Sequence, residues 1–128
     1  MRLLLDSHAF LWWVDGGERL SRRARAAIAS ERNECFVSIA SGWEMAIETS
    51  LGKLRLPRPI GAFLDTQLAV NRFRLLAVEL SHLERVSDLP FHHRDPFDRL
   101  LVAQALEEQL SVISADRVFA RYGVKRTW

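Results

Sequence analysis

Four acidic residues stand where the sequence predicts that a strand ends or a helix begins. They are Asp6, Glu44, Asp98 and Asp116. Carboxylates that converge on one place repel one another unless a cation lies between them. Hard divalent ions such as Mg²⁺ prefer carboxylate oxygens, and such an ion lowers the pKa of a bound water and stabilises the charge that develops on a phosphodiester. These residue types therefore indicate metal-assisted hydrolysis, provided that the fold brings the acids together.

The elements that must position these acids alternate between short apolar strands and helices. The strand candidates are RLLL (2–5), CFV (35–37), LLAV (75–78), SVI (111–113) and VKR (124–126). The helical patterns are SRRARAAIA (21–29), SGWEMAIETSLGKL (41–54) and FDRLLVAQALEEQL (97–110). Continuous apolar strands between helices are typical of a parallel sheet covered on both faces. The sequence thus predicts an α/β fold, with a loop that contains Pro57 and Pro59 between two helices.

This topology would place the acids at one edge of the sheet. Asp6 follows the first strand directly, and Asp116 follows SVIS by two residues. The strand that ends at Ser38 runs into the helix that carries Glu44, and Asp98 lies in the first turn of the helix with the strongest pattern, over 97–110. Open α/β folds bind ligands at the carboxyl ends of their strands, which is where we expect these side chains to meet.

Each acid could instead have a purely structural role in capping a helix. Asp6 and Asp116 suit helix N-caps, because short acidic side chains accept hydrogen bonds from the free amides of a first turn. Two further pairs fit capping boxes, namely Asp95 with Asp98 and Ser41 with Glu44. Taken singly, capping is the more common role at each position. Four capping acids at one edge would nevertheless repel one another, which favours a bound cation.

Composition places the chain among ordinary globular proteins. Its 128 residues predict one domain over 1–128, with 48% hydrophobic and 27% charged residues. Cys35 is the only cysteine, which excludes an internal disulfide and favours a cytoplasmic setting, and no apolar run is long enough to span a membrane. The net charge is +2, from 18 basic and 16 acidic residues. If four acids occupy one pocket, the remaining surface carries 18 basic against 12 acidic groups, which suits a polyanionic partner.

Four segments of the chain resemble the PIN-domain ribonuclease toxins of VapBC toxin–antitoxin modules. They are LLLDSHAFLWW (3–13), VSIASGWEMAI (37–47), LPFHHRDPFDRLLVAQAL (89–106) and VISADRVFARYGV (112–124). The resemblance implies a PIN-like three-layer α/β/α sandwich with a short, mainly parallel central sheet. It also implies cleavage of RNA, such as tRNA or rRNA, with Mg²⁺ or Mn²⁺, a homodimer, and inhibition by a cognate VapB-type antitoxin. The family's metal-binding acids correspond to Asp6, Glu44, Asp98 and Asp116.

We expect Asp6 and Asp98 to coordinate the metal directly, and Asp116 and Glu44 to complete the shell. Two positions depart from the family pattern. Ser7 stands where threonine is usual, which keeps the hydroxyl, and Glu48 stands where a basic residue is common. Glu48 lies one helical turn beyond Glu44, so it either faces solvent or adds a fifth acid to the site.

Several other residues have both a functional and a structural interpretation. His92 and His93 lack a third ligand at metal spacing, so we expect them to support the start of the following helix. Three residues are candidates for RNA or phosphate contact, namely Ser114, Arg22 and Arg23. Ser114 could equally end its strand, and the arginines could form a solvated helix face. Trp12 and Trp13 lie about 100° apart on a helix, so one should be buried and the other partly exposed. The more exposed one is a candidate for a partner interface, and two aromatic residues of a crowded core are the equal alternative.

Two other functions deserve comparison with the nuclease. A phosphatase of the haloacid-dehalogenase kind also follows its first strand with an aspartate, but it requires a second aspartate two residues later, where this chain has His8. A catalytically idle PIN-fold module that binds RNA or antitoxin is the other alternative. The presence of all four acids argues against that loss of activity.

Overall fold

A single five-stranded sheet forms the centre of the molecule. The computed structural model describes residues 1–128. Its strands are β1 (Arg2–Leu5), β2 (Glu34–Ser38), β3 (Arg74–Leu76), β4 (Ser111–Ile113) and β5 (Arg126–Thr127). All four strand pairings are parallel, and the order across the sheet is β3-β2-β1-β4-β5. The prediction of an α/β fold with a parallel sheet is confirmed.

Seven helices connect and cover the strands. They are α1 (Ser7–Val14), α2 (Arg22–Ala29), α3 (Ile39–Ser50), α4 (Ile60–Asn71), α5 (Leu80–Asp88), α6 (Pro96–Glu108) and α7 (Val118–Arg121). The segment with Pro57 and Pro59 separates α3 from α4, as predicted. No helix combines the length and the hydrophobicity that crossing a membrane requires.

Burial of β1 on both faces explains the three layers. Leu3 and Leu5 point into one core cluster, with side chains of α1, α2 and α4. Leu4 points into the other cluster, which contains apolar residues of α6 and α7. Successive side chains of a strand face opposite sides of a sheet, so three consecutive leucines are all buried only when helices cover both sides. The result is an α/β/α sandwich.

The strand order reverses beside β1. From β1 the chain proceeds to β2 and β3 on one side, and then returns to place β4 on the other side of β1. The Asp6 amide continues the pairing by donating to the Ile113 carbonyl at 3.1 Å. A crevice forms at such a reversal because the flanking connections leave in opposite directions, and this is where open α/β sheets bind ligands.

Some predicted boundaries and caps are wrong. The helix predicted over 41–54 spans Ile39–Ser50, and the final strand begins at Arg126 rather than at residue 124. Ser38 caps α3 by accepting from the Ala40 amide, so the proposed capping box of Ser41 and Glu44 does not exist. The pattern failed here because the helix starts directly at the strand end, and Ser41 is already buried within its first turn.

Candidate active site

Asp6 lies between β1 and α1, at the carboxyl end of the first strand. Its Oδ1 accepts from the Ala9 amide at 2.8 Å and so caps α1, as the structural explanation predicted. The carboxylate also lines a cavity at the carboxyl edge of the sheet. Burial raises the pKa of Asp6 above its ordinary value, although hydrogen bonds from the Ser114 hydroxyl and the Ala9 amide oppose the shift. Capping thus positions this acid at the cavity and does not exclude a functional role.

Glu44 reaches the same cavity from α3. The Ser7 hydroxyl donates to its Oε1 at 2.5 Å, which links α1 to α3. Burial raises the pKa of Glu44, and the neighbouring charges of Asp95 and Glu48 add to the effect. A carboxyl with a raised pKa is better suited to accept a proton than an exposed one. Ser7, which replaces the usual threonine, therefore still supplies the hydroxyl that orients Glu44.

Asp98 lies in the first turn of α6. The Asp95 side chain caps this helix by accepting from the Asp98 amide at 2.9 Å. The Asp98 carboxylate faces the cavity, and its Oδ2 lies 3.4 Å from Nε2 of His93. Desolvation raises the pKa of Asp98 to about 7, with further contributions from the surrounding acids Asp95, Asp6, Asp116 and Glu44. Of the acids at this site, it has the most unfavourable environment for a negative charge in the absence of a cation.

Asp116 approaches from the loop after β4. Its amide donates to Ser114 Oγ at 3.0 Å, and its own Oδ1 accepts from the Val118 amide at 2.9 Å. Ser114 is completely buried, and its hydroxyl serves both Asp116 and Asp6 from within the protein. Direct contact between Ser114 and RNA would require that it be uncovered. The structure instead shows it holding two acids in place.

The four predicted acids therefore meet in one cavity of about 390 Å³. They arrive from β1, α3, α6 and the loop after β4, at the point where the strand order reverses. Ser7, His8, Trp12, Asp95 and Ala115 complete the lining. No lysine or arginine lines this cavity, and His8 is the only basic side chain in its lining. Desolvation by burial is the largest cause of the raised pKa values of Asp6, Glu44 and Asp98, and repulsion between neighbouring acids adds to it.

Comparison with known proteins identifies the family. Residues 3–125 match the family model of the PIN domain. The chain is 33% identical over 116 residues to Ribonuclease VapC22 of Mycobacterium tuberculosis, a match that covers 90% of this chain and 87% of that protein. The chain belongs to the VapC family of PIN-domain proteins.

Solved structures agree with a VapC fold. VapBC2 from Rickettsia felis, bound to a DNA fragment from its promoter, superposes with a TM-score of 0.74 at 13% identity, over 98% of this chain and 97% of that chain. DNA-bound VapBC from Salmonella typhimurium gives a TM-score of 0.65 at 17% identity, over 98% of this chain and 96% of that chain. At these identities the likeness concerns the fold, and it confirms the predicted PIN-like sandwich.

The donor set of this VapC-family chain fits a hard divalent cation. The acids offer carboxylate oxygens only, in a cavity that no lysine or arginine lines. No group of three or more histidine, cysteine or acidic side chains is already arranged to hold a metal ion, so protein ligands alone would not complete its shell. That arrangement suits Mg²⁺, which proteins commonly hold through one or two carboxylates while water and substrate oxygens complete its shell. Asp6 and Asp98 remain the residues that we expect to hold it.

The structure places the other candidates of this VapC chain outside the acidic cavity or at its rim. Arg22 and Arg23 are exposed on α2 and line neither this cavity nor the adjoining groove, so their contact with RNA stays a prediction. Glu48 lines the groove and not the cavity, so it is not a fifth acid of the pocket. Asp95, which sequence reasoning treated only as a cap, lines the cavity as well.

Neither tryptophan is fully buried, so the predicted division into one buried and one partly exposed side chain is wrong. Both are partly buried, because α1 lies over the margin of the core with a groove on each side. Trp12 stacks on His8 and lies beside the acidic cavity. Trp13 donates from Nε1 to Oδ1 of Asn71 at 2.9 Å on the opposite side. Trp12 is therefore the stronger candidate for a partner that reaches the active site.

Proposed function

We propose that this protein is a metal-dependent endoribonuclease and the toxin of a type II toxin–antitoxin system. The observation that carries the proposal is the meeting of Asp6, Glu44, Asp98 and Asp116 in one cavity without lysine or arginine, at the strand-order reversal. Membership of the VapC family, with a relative named as a ribonuclease, supports RNA as the substrate. We propose tRNA or rRNA as the target class, and Mg²⁺ or Mn²⁺ as the ion.

Different residues of the chain would have different roles in hydrolysis. Asp6 and Asp98 would hold the cation, with Asp116 at the outer rim of the same cavity. When bound, the ion would polarise a phosphodiester and increase the acidity of water. Glu44 is oriented by Ser7 and carries a raised pKa, so it is suited to accept the proton of the attacking water. The basic surface outside the cavity would attract the polyanionic substrate.

The direct test is RNA cleavage by purified protein freed of any bound partner. Cleavage of tRNA or rRNA should appear with Mg²⁺ or Mn²⁺ and disappear with a chelator. Well-folded protein that binds the metal but cleaves neither substrate would favour the alternative, a catalytically idle module that binds RNA or antitoxin.

An antitoxin would have direct access to this site through the neighbouring groove. A groove of about 580 Å³ lies between α1, the segment that follows α3, and α4, and it shares His8 and Trp12 with the acidic cavity. Its lining is mixed, with apolar side chains such as Leu11 and Leu54. The VapBC structures that share this fold are complexes, as their names state. We propose that a segment of the cognate VapB-type antitoxin lies in this groove.

Replacing Trp12 with alanine should weaken binding of the cognate antitoxin by about tenfold or more, because buried aromatic anchors contribute at least 1–2 kcal/mol to interfaces. Trp13→Ala is the matched control, since Trp13 lines a different groove. Isothermal titration calorimetry with both variants measures the difference. Equal losses in the two variants would contradict the proposed groove.

A second copy of the chain is proposed to cover an apolar stripe on α3. Ile39, Trp43, Ile47 and Leu51 recur every four residues and all are exposed, with Trp43 60% exposed. Phe97 of α6 contacts Trp43 edge-on and extends the apolar surface. Exposed stripes of this kind mark interaction surfaces, and a two-fold axis lets one stripe pack against its own copy.

Trp43→Glu should convert the dimer into a monomer, because the dimer would bury one uncompensated carboxylate from each copy. Val70→Glu introduces the same charge at an exposed residue of α4 outside the stripe and should leave the dimer intact. Light scattering coupled to size-exclusion chromatography gives the mass of each variant. A wild-type protein that is monomeric at micromolar concentration would refute the homodimer.

A further inference from the structure

A series of hydrogen bonds between side chains connects the buried Arg99 to Asp98. Arg99 Nη1 donates to the Tyr122 hydroxyl at 3.1 Å. The same hydroxyl lies 2.8 Å from Nδ1 of His93, and Nε2 of His93 lies 3.4 Å from Oδ2 of Asp98. The connection joins α6, the residue that follows α7 and the loop between α5 and α6 at the wall of the acidic cavity.

The direction of these hydrogen bonds follows from what each group can donate. A guanidinium has donors only, so the Tyr122 oxygen accepts from Arg99. An ionised Asp98 carboxylate has acceptors only, so Nε2 of His93 carries the ring hydrogen and donates to it. Nδ1 of the neutral ring is then an acceptor and receives the phenolic hydrogen of Tyr122, so all three hydrogen bonds run towards the carboxylate.

Arg99 provides a fixed anchor for this connection. The residue is 5% exposed and has no carboxylate partner. Its guanidinium donates to three carbonyls at the C-terminal end of α5, those of Val86, Leu89 and Pro90, at 3.4, 3.3 and 2.8 Å. The ring of Phe91 covers it at 3.9 Å. Carbonyls at a helix C-terminus stabilise a cation, and the loss of any of them would leave a buried charge short of partners.

We propose that His93 is a positioning residue, which holds Oδ2 of Asp98 so that Oδ1 is presented to the cation. The inference rests on the metal-dependent function proposed above. Oδ1 makes no hydrogen bond within the protein, and Asp98 lines the cavity. A carboxylate ligand whose second oxygen is hydrogen-bonded keeps one orientation, and such outer partners sustain metal affinity. Tyr122 and Arg99 fix the imidazole from its other side.

Two substitutions at His93 test whether the hydrogen bond from Nε2 matters, because both remove the ring and only one keeps a donor at that position. In His93→Gln the amide nitrogen can occupy the place of Nε2 and donate to Asp98. In His93→Asn the shorter side chain reaches the place of Nδ1 beside Tyr122 but not Asp98. We expect His93→Asn to weaken Mn²⁺ binding about 10- to 100-fold, the usual effect of losing an outer hydrogen bond to a metal ligand, and His93→Gln to stay near wild type.

Mn²⁺ affinity is measured by electron paramagnetic resonance of the free ion, without RNA, and thermal unfolding with chelator shows that each variant is folded. His92→Gln is the matched control, because His92 contacts the Tyr122 ring edge-on and its side chain hydrogen-bonds no acid. Wild-type affinity in folded His93→Asn would overturn the inference, and so would equal losses in the glutamine and asparagine variants. Absence of Mn²⁺ binding by the wild type would overturn the proposed function itself, and the positioning role with it.

The tautomer of His93 supplies a spectroscopic test that needs no metal. Long-range ¹⁵N–¹H correlation spectra of the metal-free protein should show the hydrogen of neutral His93 on Nε2, and Tyr122→Phe should reduce that preference because Nδ1 loses its donor. A neutral His93 with its hydrogen on Nδ1 would contradict the proposed direction of the hydrogen bonds.

Discussion

Asp6→Asn will abolish RNA cleavage while the protein stays folded. The asparagine oxygen can still accept from the Ala9 amide, so the cap of α1 survives the substitution. The lost group is a negative metal ligand, and metal stabilisation worth several kcal/mol corresponds to about a thousandfold or more in rate. Single-turnover cleavage with saturating Mg²⁺ measures the effect, and circular dichroism confirms the fold.

The matched control for Asp6→Asn is Asp65→Asn, which removes an exposed carboxylate of α4 outside the cavity and should cleave at the wild-type rate. Cleavage by Asp6→Asn at the wild-type rate would refute the assigned site. Expression of each variant in a growing host gives a second measurement, since only the wild type and the control should arrest growth.

Without metal, the wild-type protein should become less stable as the pH rises from about 4 to about 7. The pKa of Asp98 is raised from 3.8 to about 7 in the folded state, so the folded protein binds more protons than the unfolded chain in this range. The free energy of unfolding therefore falls with increasing pH, and the decrease due to Asp98 is complete by pH 8. Asp98→Asn removes the buried charge and should raise the Tm at pH 8 with chelator, with roughly 4 °C gained per kcal/mol for a domain of this size.

Divalent metal should reverse the difference in Tm between the wild type and Asp98→Asn, so that the wild type becomes the more stable protein. An ion that binds only the folded wild type stabilises it by about 2.7 kcal/mol when present at a hundred times its Kd. Differential scanning calorimetry at pH 5 and pH 8, with chelator or Mn²⁺, distinguishes the four conditions. The interpretation fails if Asp98→Asn lowers the Tm at pH 8 in chelator, since that would mean that the Asp98 carboxylate stabilises the empty fold.

Much of the fold could be predicted because its strands are short and wholly apolar. RLLL and SVI specify β1 and β4 to the residue, since three buried leucines in succession fit only a strand covered on both faces. The bounds of α4 were not predicted, although a helix was expected after the loop with Pro57 and Pro59, and α5 was not predicted at all. The apolar residues of α4 do not lie on one face of the helix, and α5 exposes Leu80 and Leu83. Their positions depend on packing against neighbouring elements, which local pattern does not encode.

The candidate site could be predicted as far as its acids. Strand ends and helix starts identified Asp6, Glu44, Asp98 and Asp116, because a parallel sheet brings such positions to one edge. The orientation of their side chains could not be read in this way. His93 meets Tyr122 across 29 residues of sequence, and Ser7 meets Glu44 across 37. The spacing of residues within one segment does not indicate contacts that form only when the layers pack together.

The reversal of strand order beside β1 also sets when activity can begin during protein synthesis. Asp6 is made early, but its neighbours in the cavity come from α3, α6 and the loop after β4. β4 can pair with β1 only after β2 and β3 have been made. A growing chain on the ribosome therefore carries an incomplete set of acids until Asp116 emerges. Any activity that needs all four acids would therefore require residues 1–116 to have left the ribosome.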